Sequence, residues 1–170
     1  AEHPFGLFAL MALYTGMRRG ELLALHWEDV DRKNGVIRVN KSVYFEHNRP
    51  KLKPPKTATS VGVVPILSAL SPHLPSTKHG VIFHQAGEHM PEKYFKTQWD
   101  NYCRDIGISC TPHQLRHAYA TMLYENDIPP AEAQILLRHA QYSTTMDIYT
   151  DIREQKQKHV FDRVKNVDIS

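Results

Sequence analysis

The hydrophobic pattern opens with an almost unbroken apolar stretch, Phe5 to Tyr14, which predicts a buried helix. Thr15-Gly16 ends it, glycine being suited to a left-handed cap. A short helix over roughly Arg19 to Leu25 carries Leu22, Leu23 and Leu25 into the core. Asn34-Gly35 is the strongest hairpin signal in the chain, just ahead of the strand Val36-Ile37-Arg38-Val39. Ser42 to Phe45 and Val61 to Ile66 read as two further strands. The stretch between them, Arg49 to Lys56, reads as a basic loop kept irregular by Pro50, Pro54 and Pro55.

Beyond the loop-like Ser71 to Gly80 the periodicity turns helical. Lys93 to Ile106 predicts one helix. Thr111-Pro112-His113-Gln114 starts another, running to about Glu125, with Thr111 as cap, Pro112 in the first helical position and Gln114 closing a capping box. Pro129-Pro130 opens a helix over Ala131 to Arg138. Thr144-Thr145-Met146-Asp147 predicts a second capping box and a short helix carrying Tyr149. Asp151 to Val164 is polar and helical. The expected class is mainly α with a small antiparallel β-sheet (α+β). Trp27 and Trp99 read as packing residues.

Length and composition narrow the class without naming a function. The 170 residues suffice for one compact domain, and 41% apolar with 23% charged residues is ordinary for a globular chain. No apolar run approaches the roughly 18 residues that cross a bilayer. Ala1-Glu2-His3-Pro4 lacks a basic lead-in, so neither a membrane segment nor a signal peptide is expected. Two cysteines, Cys103 and Cys110, cannot build a disulfide framework and predict free thiols in a reducing compartment.

The net charge of +3 would not point to nucleic acid, but its distribution does. From Arg32 to Lys56 stand eight basic residues (Arg32, Lys33, Arg38, Lys41, Arg49, Lys51, Lys53, Lys56) against one acid, Glu46. Such a block can neutralise phosphates, and Arg38, Lys41, Lys51 and Lys53 are the candidate DNA contacts. A solvated, lysine-rich hairpin is the alternative on charge alone.

Three separated segments join a helix signal to cationic or nucleophilic side chains: Thr15-Gly16-Met17-Arg18-Arg19-Gly20-Glu21-Leu22, His113-Gln114-Leu115-Arg116-His117, and Leu136-Leu137-Arg138-His139 with Tyr149 ten residues on. Lys56-Thr57-Ala58-Thr59-Ser60 adds a fourth. In this order, from about Leu10 to Asp151, they resemble the tyrosine recombinase, or phage integrase, family. In that family an arginine follows a Thr-Gly pair, a His-x-x-Arg opens a later helix, a further histidine precedes the nucleophilic tyrosine, and a hairpin carries a lysine. The resemblance implies the DNA breaking-rejoining catalytic fold over residues 1–170 and site-specific recombination or integration for a mobile element. It also implies action on double-stranded DNA in the bacterial cytoplasm. DNA-binding domains are expected ahead of this chain, which then reads as a fragment. Such a fragment would be monomeric, while the full-length protein would act as a tetramer on DNA. Residues 151–170 would form a C-terminal exchange helix.

The residues suit that chemistry on their own terms. Charge gathers on the non-bridging oxygens of a phosphodiester under attack, and two guanidiniums, Arg18 and Arg116, can clamp them. With cations so supplied, no metal or other cofactor is expected, and no acidic cluster suited to magnesium is evident. Tyr149 is the expected nucleophile, favoured over Tyr142 by its place after Thr144-Thr145 and beyond His139; ionising an ordinary phenol of pKa about 10 at neutral pH costs about 4 kcal/mol, so a base or a cationic field must help. His113, three residues before Arg116, is the candidate base or proton carrier. His139 would donate a hydrogen bond to the phosphate, and Lys56 would protonate the leaving 5′ oxygen. The product would resemble the family's 3′-phosphotyrosine with a free 5′ hydroxyl. Glu21 reads as a helix-start carboxylate or as support for Arg18, the second being favoured.

Other assignments compete. His113 and His117 have zinc-compatible spacing, but no third ligand is evident. A DNA-binding module without chemistry and a relaxing topoisomerase share parts of the pattern. Two departures stand out. The family often has glycine where this chain has Arg138, an extra arginine that either binds DNA or faces solvent. The hairpin motif often has an arginine where this chain has Gly62, which keeps Lys53 open as the alternative acid to Lys56.

Overall fold

The computed structural model describes residues 3, 5–53, 62–75 and 78–165. The chain forms two compact units, the first ending at Tyr119 and the second beginning at Ala120.

The first unit is organised around α1 (Gly6–Thr15), an apolar helix whose Phe8, Met11 and Ala12 are fully buried. Phe8 sits in an aromatic cluster, edge-on to Phe83 with ring centres 5.0 Å apart and beside Phe95 and Trp99. Gly16 caps α1 in the left-handed region, at φ 58°. α2 (Arg19–Ala24) follows and buries Leu22, Leu23 and Ala24.

The strands are shorter and more divided than one sheet. β1 (Val30–Asp31), β2 (Val36–Val39) and β5 (Gly62–Pro65) form an antiparallel sheet in the order β1-β2-β5. β3 (Ser42–Glu46) and β4 (Arg49–Lys53) form a separate hairpin, and β6 (His84–Gln85) pairs with β7 (Glu88–His89). The expected basic loop is therefore wrong over Arg49–Lys53, which is a strand in register with β3. Its turn residues, His47 and Asn48, both take positive φ (48° and 70°), the geometry of a two-residue hairpin turn that usually shows itself through glycine. Pro50 pairs with Phe45 in a two-stranded ribbon, an edge position where proline costs no ladder bond.

This hairpin is held between helices. A Cβ on Gly20 would lie 2.5 Å from the Val43 carbonyl oxygen, so α2 rests directly on β3. Asn48 caps α3 (Glu92–Asp105), its Oδ1 accepting from the Lys93 backbone N–H at 2.7 Å. Trp99 on α3 donates to the Cys110 carbonyl at 2.8 Å, and Cys103 and Cys110 are free thiols. α4 (Pro112–Glu125) begins as expected: Thr111 Oγ1 accepts from the Gln114 N–H, and Gln114 Oε1 from the Thr111 N–H. The division between the units falls within α4.

The second unit takes the end of α4, then α5 (Pro130–Leu137) and α6 (Tyr142–Lys165). Here another expectation fails. No cap forms at Thr144-Thr145, and the two helices foreseen there are one 24-residue helix. Thr144, the cap of the expected box, already lies inside the helix, which starts at Tyr142. Among the described residues, no helix is long and apolar enough to cross a membrane.

Two predictions follow from the first unit. Gly20→Ala should lower stability by about 1–3 kcal/mol, because backbone must give way; a wild-type urea midpoint would mean that α2 does not press on β3. His89 is pushed below the ordinary imidazole range chiefly by burial, with His26 and Lys41 adding to the effect. The unfolded chain then takes up this proton first, so stability should fall as pH drops below about 6.5. Urea midpoints at about pH 7.5 and 5.5 should differ less in His89→Gln than in the parent chain.

Candidate active site

The turn between α1 and α2 is fixed from three directions. Thr15 Oγ1 donates to the Met11 carbonyl at 2.6 Å and accepts from the Met17 N–H at 3.2 Å. Gly16 leaves no room for a side chain: a Cβ there would meet Tyr119 Cδ1 at 2.3 Å. The Gly16 carbonyl accepts a hydrogen bond from Arg116 Nη1, one hundred residues along the chain. Arg18 follows two residues later with its side chain 42% exposed, and Glu21 holds it at both ends. Glu21 Oε2 accepts from the Arg18 backbone N–H and Oε1 from Arg18 Nη1, each at 2.8 Å. Glu21 thus serves α2 as a helix-start carboxylate and also steadies Arg18.

Arg116 is buried, and His113, one turn earlier on α4, is exposed. His113 lines a hollow of about 620 Å³ with Arg19, Lys93, Lys96 and Trp99. Arg19 belongs to the framework: its guanidinium lies over Phe45 and Phe95, 5.5 and 5.8 Å from the ring centres, and pairs with Glu92 at 3.4 Å. That separates it from its neighbour Arg18. Lys56 lies outside the described residues. Lys53, the alternative, is half-buried with its ammonium 5.3 Å from the Tyr44 ring centre.

The basic block is less free than its sequence window suggested. Arg38 pairs with Asp31, Lys41 with Asp29 at 2.6 Å, and Lys51 with Glu46. Asp29 and Asp31 lie just ahead of the counted window and fold back onto it.

In the second unit α5 ends in a Schellman turn. The Arg138 N–H bonds the Ile135 carbonyl and the His139 N–H the Gln134 carbonyl, both at 3.1 Å. Arg138 takes the left-handed position, φ 54°, where glycine is favoured, which accounts physically for the glycine of the family pattern. Of the two expectations for Arg138, the solvent-facing one does not hold. Its side chain is 4% exposed, with Nη1 donating to the Leu136 carbonyl at 3.1 Å.

His139, next in the turn, is buried, and its Nδ1 lies 2.9 Å from Thr145 Oγ1. That bond orients the ring. Thr145 was missed as a functional partner because a contact six residues away, across a helix boundary, leaves no periodic mark. Tyr149 is 6% exposed, stands edge-on to Tyr124 with ring centres 5.3 Å apart, and donates its hydroxyl to the Ile128 carbonyl at 3.0 Å. Among the described residues, no group of three His, Cys, Asp or Glu side chains is arranged to hold a metal ion.

The chain matches a family model described as the phage integrase family over residues 5–156. The chain belongs to that family. The tyrosine recombinase XerC-like protein of Caldanaerobacter subterraneus subsp. tengcongensis is 26% identical, covering 98% of this chain and 50% of its own length. The ICEBs1 integrase of Bacillus subtilis is 28% identical (96% of this chain, 49% of its own), and tyrosine recombinase XerA of Pyrococcus furiosus 32% (92% and 53%). The chain therefore spans about half the length of the curated phage integrase relatives it matches. Among solved structures, the Tn1549 transposon integrase in complex with circular intermediate DNA shares the fold at a TM-score of 0.69. That match has 21% identity and covers 92% of this chain and 59% of the other. The mainly helical class with small antiparallel sheets is thus that of the integrase catalytic domains.

Glu21→Ala should cost about 1–2 kcal/mol through the lost cap and the lost buried bond. Glu21→Gln, which keeps an acceptor for the Arg18 N–H, should cost clearly less. Equal losses in thermal melts of the two variants would show that the reach-back to the backbone contributes nothing.

Proposed function

We propose that this chain carries out the cutting and rejoining of DNA strands in a site-specific recombinase or integrase of a mobile element. The observation that carries this reading is the Arg116 guanidinium seated on the Gly16 carbonyl, in the turn that presents Arg18. Two permanent cations from remote parts of the sequence thereby belong to one turn, as a clamp on a phosphate requires.

In the proposed reaction the Tyr149 oxygen attacks the scissile phosphorus in line. The phosphorus–oxygen bond to the 5′ side breaks as the phosphotyrosine bond forms. Arg18 and Arg116 take the charge on the non-bridging oxygens, and His139 donates to them through Nε2. His113 accepts the phenol proton or relays it, and Lys56, with Lys53 as the alternative, protonates the leaving 5′ oxygen. The 3′-phosphotyrosine conserves the bond energy, so the released hydroxyl of a second strand can reverse the step without ATP. Because the Tyr149 hydroxyl is engaged with the Ile128 carbonyl, the attack requires that hydrogen bond to be exchanged for one with the base.

Double-stranded DNA is the proposed partner and the bacterial cytoplasm the proposed location. Names of relatives support the reading: ICEBs1 and Tn1549 are the elements named with two of them. The far half of α6 exposes Val160, Phe161 and Val164, which supports its role as an exchange helix between subunits of a DNA-bound tetramer. Residues 166–170 of that segment lie outside the described residues.

A nicked duplex that traps the cleaved strand should give a covalent protein–DNA adduct, absent in Tyr149→Phe. Arg18→Ala and Arg116→Ala should each reduce adduct formation by roughly a hundredfold or more, about 3 kcal/mol of barrier. An adduct that persists in Tyr149→Phe would move the nucleophile elsewhere, and wild-type rates in the arginine variants would dismiss the clamp.

A further inference from the structure

A hollow of about 430 Å³ lies wholly within the second unit, beside the proposed nucleophile. Tyr124, Asp127, Ile128, Met146, Tyr149 and Arg153 are among the residues that line it. Arg153 follows Tyr149 by four residues on α6, so the two share one helix face, with Cβ atoms about 6 Å apart. Side chains on a helix lean toward its N-terminus, which directs Arg153 back over the tyrosine's turn. The Arg153 side chain is exposed and makes no ion pair within the described residues.

The charges around this hollow are few. Asp127 and Arg153 line it directly. Lys156 lies over the Tyr124 ring at 5.1 Å and is paired with Glu125 at 3.1 Å. Arg153 is thus the cation nearest in the helix to Tyr149 that no acid neutralises. The Ile128 carbonyl can receive the phenol proton's hydrogen bond but can offer nothing to a phenolate. A tyrosine that turns away from that carbonyl within the hollow meets a guanidinium able to donate to the ionised oxygen.

We propose that Arg153 is the charge partner of the Tyr149 phenolate, engaged when the hydroxyl leaves Ile128 and loses its proton. This rests on Tyr149 being the nucleophile, but the charge pairing itself is measurable without DNA. The O–H bond breaks, the proton passes to solvent or to a base, and the electron pair left on oxygen accepts hydrogen bonds from the guanidinium. An arginine is suited to this task because it stays charged at any pH where a phenol ionises.

The test is fluorine NMR on the 170-residue chain with 3-fluorotyrosine placed at position 149, titrated with alkali without DNA. In Arg153→Gln the midpoint for fluorotyrosine ionisation should rise by about one pH unit, a tenfold smaller phenolate fraction at a given pH. Arg153→Lys should restore most of that difference, and added salt should shrink it. Asp127→Asn, which removes the competing carboxylate, should lower the midpoint. A residue that only packed the helix would alter melting without separating the Gln and Lys variants in this titration. Coincident midpoints in the parent and Arg153→Gln would overturn the proposal. The nicked-duplex assay separates its failure from that of the underlying reading. An adduct on Tyr149 with an unmoved midpoint removes Arg153 alone, whereas a moved midpoint with the adduct on another residue keeps the charge pair and removes the nucleophile.

Discussion

The contact on which the candidate chemistry turns is a single hydrogen bond from the Arg116 guanidinium to the Gly16 carbonyl. A carbonyl at a helix end has no partner within its own helix, and α1 ends just there. The fold meets that need with a charged donor, whose bonds are stronger than those of a neutral one. The same bond stops Arg116 from swinging, and its cost in side-chain freedom is met on folding. Gly16 completes the arrangement, because any larger residue would strike Tyr119, one turn beyond Arg116 on α4. Glycine, arginine and tyrosine are therefore one device, and the neighbouring Arg18 inherits its precision from Glu21.

The legible parts of the sequence were those governed by local rules. The start of α4 could be read from four residues, since both halves of its capping box are local bonds. The end of α1 was announced by Gly16, the one residue type at ease there. What escaped were features settled by tertiary partners. β4 looked irregular because of Pro50, yet an edge position excuses a proline and Asn48 is held by its bond to α3. Thr144 looked like a cap, but the helix begins two residues before it, at Tyr142. The candidate residues stood out through motif order, whereas their environments did not. Nothing in a linear count revealed that Asp29 and Asp31 fold back to pair with Lys41 and Arg38, or that Arg138 turns inward.

The second unit holds the proposed nucleophile away from solvent. The Tyr149 phenol is engaged with a carbonyl, edge-on to another ring and buried. His139, by contrast, is already oriented by Thr145 and by the backbone of a Schellman turn. In the proposed reaction, therefore, the histidine is set in advance while the tyrosine must first leave its carbonyl.

The continuity of α6 gives that step a mechanical side. Tyr149 and Phe161 stand on the same unbroken helix, about 18 Å apart at the usual rise per residue. With no hinge between them, torque applied at the exposed far end would travel along the rod to the phenol. On the proposed reading, whatever grips Val160, Phe161 and Val164 holds a lever on the phenol.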